Sequence, residues 1–185
     1  VRFALPSIAM MIFISIYSVV DGLFVSNFAG KEALAAVNLV FPLVMALGSV
    51  GFMFGTGGAA LVAKTMGEGD QVRANRLFSL IAVAGTALGI VLAGVGAGIL
   101  GPLLEALGAQ GTLKDQGLAY GFILLAALPF SIMQNMFQSF FIAAERPKVG
   151  LAVTIAAGVA NIVLDYLFIA VLGWGIAGAA LATAL

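Results

Sequence analysis

The sequence predicts an all-α integral membrane protein: a six-helix transmembrane bundle whose sixth helix is truncated. Three observations carry this. The chain of 185 residues is 63% hydrophobic and 9% charged, with a mean hydropathy of +1.19, whereas a soluble domain is about half apolar and about a quarter charged. Eight basic and eight acidic side chains cannot cover the surface of a water-soluble body of this length. The charges also fall in short clusters separated by long apolar runs, and those runs lack the polar alternation that a membrane barrel requires.

The gaps between charges set the spans, because a crossing helix needs about 20 apolar residues. Arg2 to Lys31 encloses 28 residues with one charge, Asp21; Glu32 to Lys64 encloses 31 with none. Arg76 to Glu105 encloses 28 and Asp115 to Glu145 encloses 29, both without charge. The 37 residues after Lys148 hold one charge, Asp165, and a Gly173-Trp174-Gly175 break. Spans are therefore expected at 3–29, 33–63, 77–101, 117–143 and 149–172, with an incomplete one at 176–185. The first run is too long for the apolar region of a signal peptide. Beginning at Val1 and stopping inside an apolar run, the chain is expected to be a fragment at both ends.

Alternate connectors sort to opposite sides. One side collects Arg2, Lys64, Arg73, Arg76, Arg146 and Lys148; the other has Lys31 and Lys114. Short loops rich in Lys and Arg stay in the cytoplasm, so the amino terminus is expected inside, in the cytoplasmic membrane. Gly51/Gly55, Gly85/Gly89 and Gly94/Gly98 have the small-xxx-small spacing that lets helices approach closely. Pro6, Pro42 and Pro129 suggest bends within a bundle that re-satisfies the freed backbone groups.

Composition excludes much chemistry. Without Cys there are no disulfides or thiolate metal sites, and without His there is no Ser-His-Asp hydrolysis or His-ligated zinc. No enzyme and no cofactor are expected. A net charge of zero with no basic block argues against nucleic acid. Gly67-Glu68-Gly69-Asp70 imitates the G-x-G-D string of intramembrane aspartyl proteases, but it lies in a charged loop and reads as a turn. No strand or G-K-[ST] accompanies the glycines at 22–30 or at 173, so a nucleotide loop is rejected. The seven Met read as packing, Asn38 as a helix-packing polar group, and Tyr120, Tyr166 and Trp174 as interface anchors.

Asp21 and Asp165 do not belong in lipid, and each is expected to face the bundle interior or a wet cavity. Asp21 lies nine residues before Gly30, Asp165 eight before Gly173, and Thr183 eight after Gly175, which sets all three about 12–14 Å below one surface. Asn161 and Tyr17 each stand four residues before an aspartate, on its helical face and one turn deeper. Two carboxylates, an amide, a phenol and a hydroxyl are therefore expected to converge near one depth. Paired carboxylates in low dielectric share a proton or a cation, and an all-oxygen set suits Na+ or another hard ion. Gln134 and Gln138 share one face of the fourth span; they read either as a polar lining for a substrate cavity or as interhelical hydrogen bonding. An internal echo links Asp21-Gly-Leu-Phe-Val25 to Asp165-Tyr-Leu-Phe-Ile169, as repeats do in transporter folds.

These stretches carry a family resemblance. P-S-I-A-M-M-I-F-I-S-I-Y-S-V-V-D-G-L-F-V, G-E-G-D-Q-V-R-A-N-R, A-E-R-P-K-V-G and N-I-V-L-D-Y-L-F-I with G-W-G-I-A-G-A-A-L-A-T resemble the amino-terminal lobe of a MATE (multidrug and toxic compound extrusion) transporter of the MOP flippase superfamily. The resemblance covers essentially the whole chain. It implies one six-helix lobe of a two-lobe, twelve-helix transporter, with the carboxy-terminal lobe as its missing partner. It implies Asp21 and Asp165 as the H+- or Na+-binding carboxylates, Asn161, Thr183 and Tyr17 as their partners, and Pro6 at the bend of the first helix. The implied activity is cation-coupled efflux of organic, often cationic compounds. The alternative within the superfamily is a lipid-linked oligosaccharide or polysaccharide flippase, whose cavity would carry Arg or Lys for pyrophosphate; no span here holds a basic residue. A membrane scaffold without transport leaves the two intramembrane carboxylates unexplained.

Overall fold

A computed structural model of the chain describes residues 4–143 and 147–185; the side chains at 4–7, 9–11, 14, 17, 18, 142, 143, 147 and 148 lie outside the description. The described residues are all-helical. In chain order they form α1 (Ala4–Phe24), α2 (Lys31–Gly67), α3 (Gln71–Ala106), α4 (Thr112–Ala143), α5 (Pro147–Asp165) and α6 (Gly175–Ala184), with π-helical segments at Val25–Ala29 and Tyr166–Val171. Four of these helical stretches are long and apolar enough to cross a membrane: Lys31–Gly67, Gln71–Ala106, Thr112–Phe141 and Val149–Val171.

Local chemistry sets the turns. Asp70 caps α3 by accepting a hydrogen bond from the Arg73 backbone N–H at 2.9 Å, and Gly69 takes φ +86° just before it. The G-x-G-D string is thus a helix–turn–helix connector. At the opposite end of the bundle, Gly30 (φ +97°) and Gly173 (φ +66°) close the π-helical segments, a backbone region that side-chain-bearing residues rarely adopt. Pro42, Pro102 and Pro129 lie inside α2, α3 and α4 without ending them.

The fourth helix is the axis of the bundle. It packs against α2, α3 and α6, while α1 pairs with α5. Its buried side chains Leu125, Leu128, Ile132 and Met136 are met by glycines rather than by more side chains. A Cβ at Gly51 would stand 2.9 Å from Ile132 Cα, and one at Gly55 would stand 3.1 Å from Met136 Cα. On α3, Gly85, Gly89 and Gly96 press on Met136, Pro129 and Leu125 in the same way. Gly94 and Gly98, expected to mediate packing, instead have nothing within 4 Å of an added Cβ and face outward. Spacing alone does not tell which face of a helix is turned inward; here Gly96 is on the buried one.

Large apolar side chains cover the outside, among them Ile8, Ile12, Ile16, Val19 and Leu23 along α1. Exposed apolar surface of this extent fits a hydrocarbon surrounding.

Candidate functional site

Three helices, α1, α4 and α5, bring polar groups together near the Gly30/Gly173 end. Asp21 sits on α1 one turn before its π-helical segment, and Asp165 is the last α-helical residue of α5 before the other. Asp165 is 0% exposed and Asp21 half-buried. The packing of α1 on α5 sets the two aspartates on neighbouring helices. Asn161 lies one turn deeper on the face of α5 that carries Asp165.

Tyr120 of α4 completes the group. It is 2% exposed, and its phenol lies within electrostatic reach of both carboxyls. This corrects the expectation of an interface anchor. The physical reason is the start of α4: the helix begins at Thr112, not at 117, so Tyr120 lies eight residues in, about 12 Å deep. That is the level of the aspartates, and the depth arithmetic that found them would have found Tyr120 from the correct helix start. Tyr166 and Trp174 are exposed, as anchors are, and the Trp174 ring stacks on Phe168 at 5.1 Å.

Five buried side-chain atoms among the described residues have no hydrogen-bond partner: Asp21 Oδ1, Gln116 Oε1, Asn161 Oδ1 and both carboxyl oxygens of Asp165. All five are oxygens. A buried polar atom without a partner costs about 1–3 kcal/mol, and more when it is charged. A set composed only of acceptors is relieved by a proton or a cation. Among the described residues no three acidic groups cluster, so the set is two carboxylates with neutral oxygens, not a multi-carboxylate cage.

The remaining expected site residues divide. The Thr183 hydroxyl donates to the Ala179 carbonyl at 3.0 Å, and the residue is exposed. Its proton is thus directed to its own helix, a common arrangement for helical Thr, and its oxygen lone pairs remain available. The side chains of Tyr17 and Pro6 lie outside the described residues. Gln134 is exposed, whereas Gln138 is half-buried and reaches Thr154 of α5, Nε2 to Oγ1 at 3.5 Å. Asn38 is exposed at an apolar crevice with Leu39, Pro42, Leu43, Leu103 and Leu107.

The family model described as MatE matches residues 6–167. The chain belongs to the MatE family. Its family members are transporters and not enzymes, in line with the chain's lack of His and Cys. The multidrug export protein MepA of Staphylococcus saprophyticus is 24% identical over 184 residues, covering 100% of this chain and 41% of that protein. MepA of Staphylococcus aureus strain COL is 25% identical with the same coverage. A solved outward-facing structure of a multidrug resistance MATE family transporter of the MOP superfamily superposes with a TM-score of 0.92 at 27% identity, covering 99% of this chain and 40% of that one. A MOP superfamily transporter from Pyrococcus furiosus, described as having a binding pocket of reversed polarity that suggests a different function, superposes at 0.91, with 27% identity and the same coverage. This MatE chain thus spans about two fifths of the length of the curated relatives it matches, 41% in the MepA proteins.

Proposed function

We propose that this chain is the amino-terminal lobe of a cation-coupled multidrug efflux antiporter, and that Asp21 and Asp165 bind the coupling H+ or Na+. The observation that carries this is the set of buried, unpartnered oxygens of Asp21, Asn161 and Asp165. Asn161 supplies a neutral oxygen, and Tyr120 a phenol beside the pair. By register Thr183 belongs to the same level and Tyr17 lies one turn deeper.

The cycle follows from electrostatics. The Gly30/Gly173 end faces the exterior and the amino terminus the cytosol, in the orientation that Lys and Arg favour. A cation entering from outside neutralises the carboxylates and removes their repulsion. Asp165 adjoins one π-helical segment and Asp21 lies one turn before the other, a geometry that accumulates at functional sites and carries one surplus residue per turn. Drawing the carboxyls together around an ion moves those segments and the turns beyond them. The first helix repacks, with Pro6 at its bend, and the cavity releases an organic, often cationic substrate outward. Gln134, which is exposed, lines that cavity on its cytoplasmic side, whereas Gln138 bonds Thr154 of α5. The carboxy-terminal lobe supplies its other wall.

A flippase for lipid-linked sugars is less well supported. Lys31, Lys64, Arg73, Arg76 and Lys114 all stand within the first or last two turns of their helices, so the middle of the described spans offers no cation to a pyrophosphate.

The test is efflux of a fluorescent cationic drug from proteoliposomes of the full-length transporter, with H+ and Na+ gradients imposed separately. One gradient drives wild-type efflux, and Asp165→Asn abolishes it while membrane insertion persists. Undiminished gradient-driven efflux by Asp165→Asn would overturn the proposal.

A further inference from the structure

One of the five unpartnered oxygens lies apart from the carboxylate pair. Gln116 is on α4, four residues before Tyr120 and hence on the same helical face, one turn nearer the outer surface. It lies four residues from the helix start at Thr112, about 6 Å deep, against about 12–14 Å for the aspartates. Its Oε1 is buried and accepts nothing, which is unusual for a Gln that serves as packing glue between helices, since such a residue bonds across the interface. The next residue, Gly117, packs on Leu104, so the adjacent face of that turn is closed by the apolar core. The nearest cation in sequence, Lys114, is engaged by Glu105 at 2.6 Å, and Asp115 is exposed at the outer end. The outer end of α4 next to Gln116 therefore presents no unpaired positive charge.

The geometry points to Gln116 as an outer staging ligand, an amide oxygen that receives the coupling cation between external water and the Asp21/Asp165 pair. A neutral carbonyl oxygen suits this position. It replaces part of the ion's water shell, yet binds weakly enough to pass the ion inward, as successive sites along a conduction path must. Gln116 does no chemistry; it sets how readily the cation reaches the carboxylates. This rests on the cation-coupled function proposed above.

The experiment uses the full-length transporter in proteoliposomes. Initial drug efflux is measured against external Na+ at fixed pH and against external pH without Na+. Gln116→Leu removes the oxygen at similar volume. It is expected to raise the half-saturating concentration of the driving cation about three- to tenfold, with the maximal rate kept. Gln116→Glu, which restores an oxygen, brings half-saturation back to the wild-type value or below. Gln116→Asn keeps the amide but withdraws it by one methylene, and gives an intermediate shift should Leu fail to fold. Unchanged half-saturation in Gln116→Leu, or a fall in maximal rate alone, overturns the assignment. Asp165→Asn run alongside separates the two failures: if it transports normally, the cation pair itself is wrong, whereas if it is dead while Gln116→Leu is unshifted, only the staging role is.

Discussion

Replacing Gly51 by Ala tests whether the α2–α4 contact is as close as the coordinates place it. The new methyl would stand 2.9 Å from Ile132 Cα, 3.0 Å from its carbonyl oxygen and 3.2 Å from Asn135 Cβ. Carbon atoms pack best at about 3.5–4.0 Å, so α2 and α4 must separate by about 0.6 Å or tilt. The first two obstacles are backbone and cannot swing away. Overpacking of this kind costs about 1–3 kcal/mol, against which Ala gains about 1 kcal/mol over Gly in a helix interior. Gly94→Ala makes the same propensity gain on α3 with nothing within 4 Å to meet. The propensity term therefore cancels between the two variants, and the difference isolates the clash: Gly51→Ala should be less stable than Gly94→Ala by about 1–3 kcal/mol. Thermal or denaturant unfolding of the full transporter in one detergent measures it. Equal stability of the two variants would refute the close packing of α2 on α4.

Three further outcomes are expected. Tyr120→Phe keeps the buried ring but removes the phenol beside the carboxyls, so efflux should persist with an altered half-saturating cation concentration; an unchanged cation dependence would place the phenol outside the network. Asp70→Ala deletes the α3 cap and should lower stability by about 1 kcal/mol, read by the same unfolding assay, with transport rate per folded molecule unchanged. A double-mutant cycle of Gln138→Leu with Thr154→Val should give a coupling of about 0.6 kcal/mol across α4–α5, the usual size for such a bond in a membrane bundle; zero coupling would show the two helices to be held by packing alone.

The lobe was legible because the bilayer leaves so few options. Long charge-free runs in a chain with so few charged side chains dictate apolar helices, and Asp21 and Asp165 are conspicuous in them because hydrocarbon tolerates so few charges. Counting residues from the Gly30 and Gly173 turns sets the two carboxylates at one depth, with Asn161 one turn deeper, without any knowledge of packing. What the sequence hides is the direction a helix face takes and where a helix starts. The spacing of Gly94 and Gly98 equals that of Gly51 and Gly55, yet only the latter pair faces a neighbour. Tyr120 was misread because α4 begins inside a Gly-containing stretch that reads as loop, which shifted its apparent depth by more than a turn. The π-helical segments beside each aspartate have no propensity signal of their own; they arise where a helix must re-register before its turn. Gln116 follows Lys114 and Asp115 and carries no sequence signal of its own; its buried, unpartnered oxygen sets it apart.

The most direct measurement is equilibrium competition between drug and cation on the purified full-length transporter. Binding of a fluorescent cationic drug is followed while pH is lowered at zero Na+, and while Na+ is raised at fixed pH. Coupling between two sites is reciprocal, so a cation held by Asp21 and Asp165 must weaken the drug as the drug weakens the cation. Wild type should lose bound drug as one of the two cations is added, and the Asp21→Asn/Asp165→Asn protein should hold its drug at every cation concentration. Identical displacement curves for the two proteins would contradict a coupling site at these carboxylates.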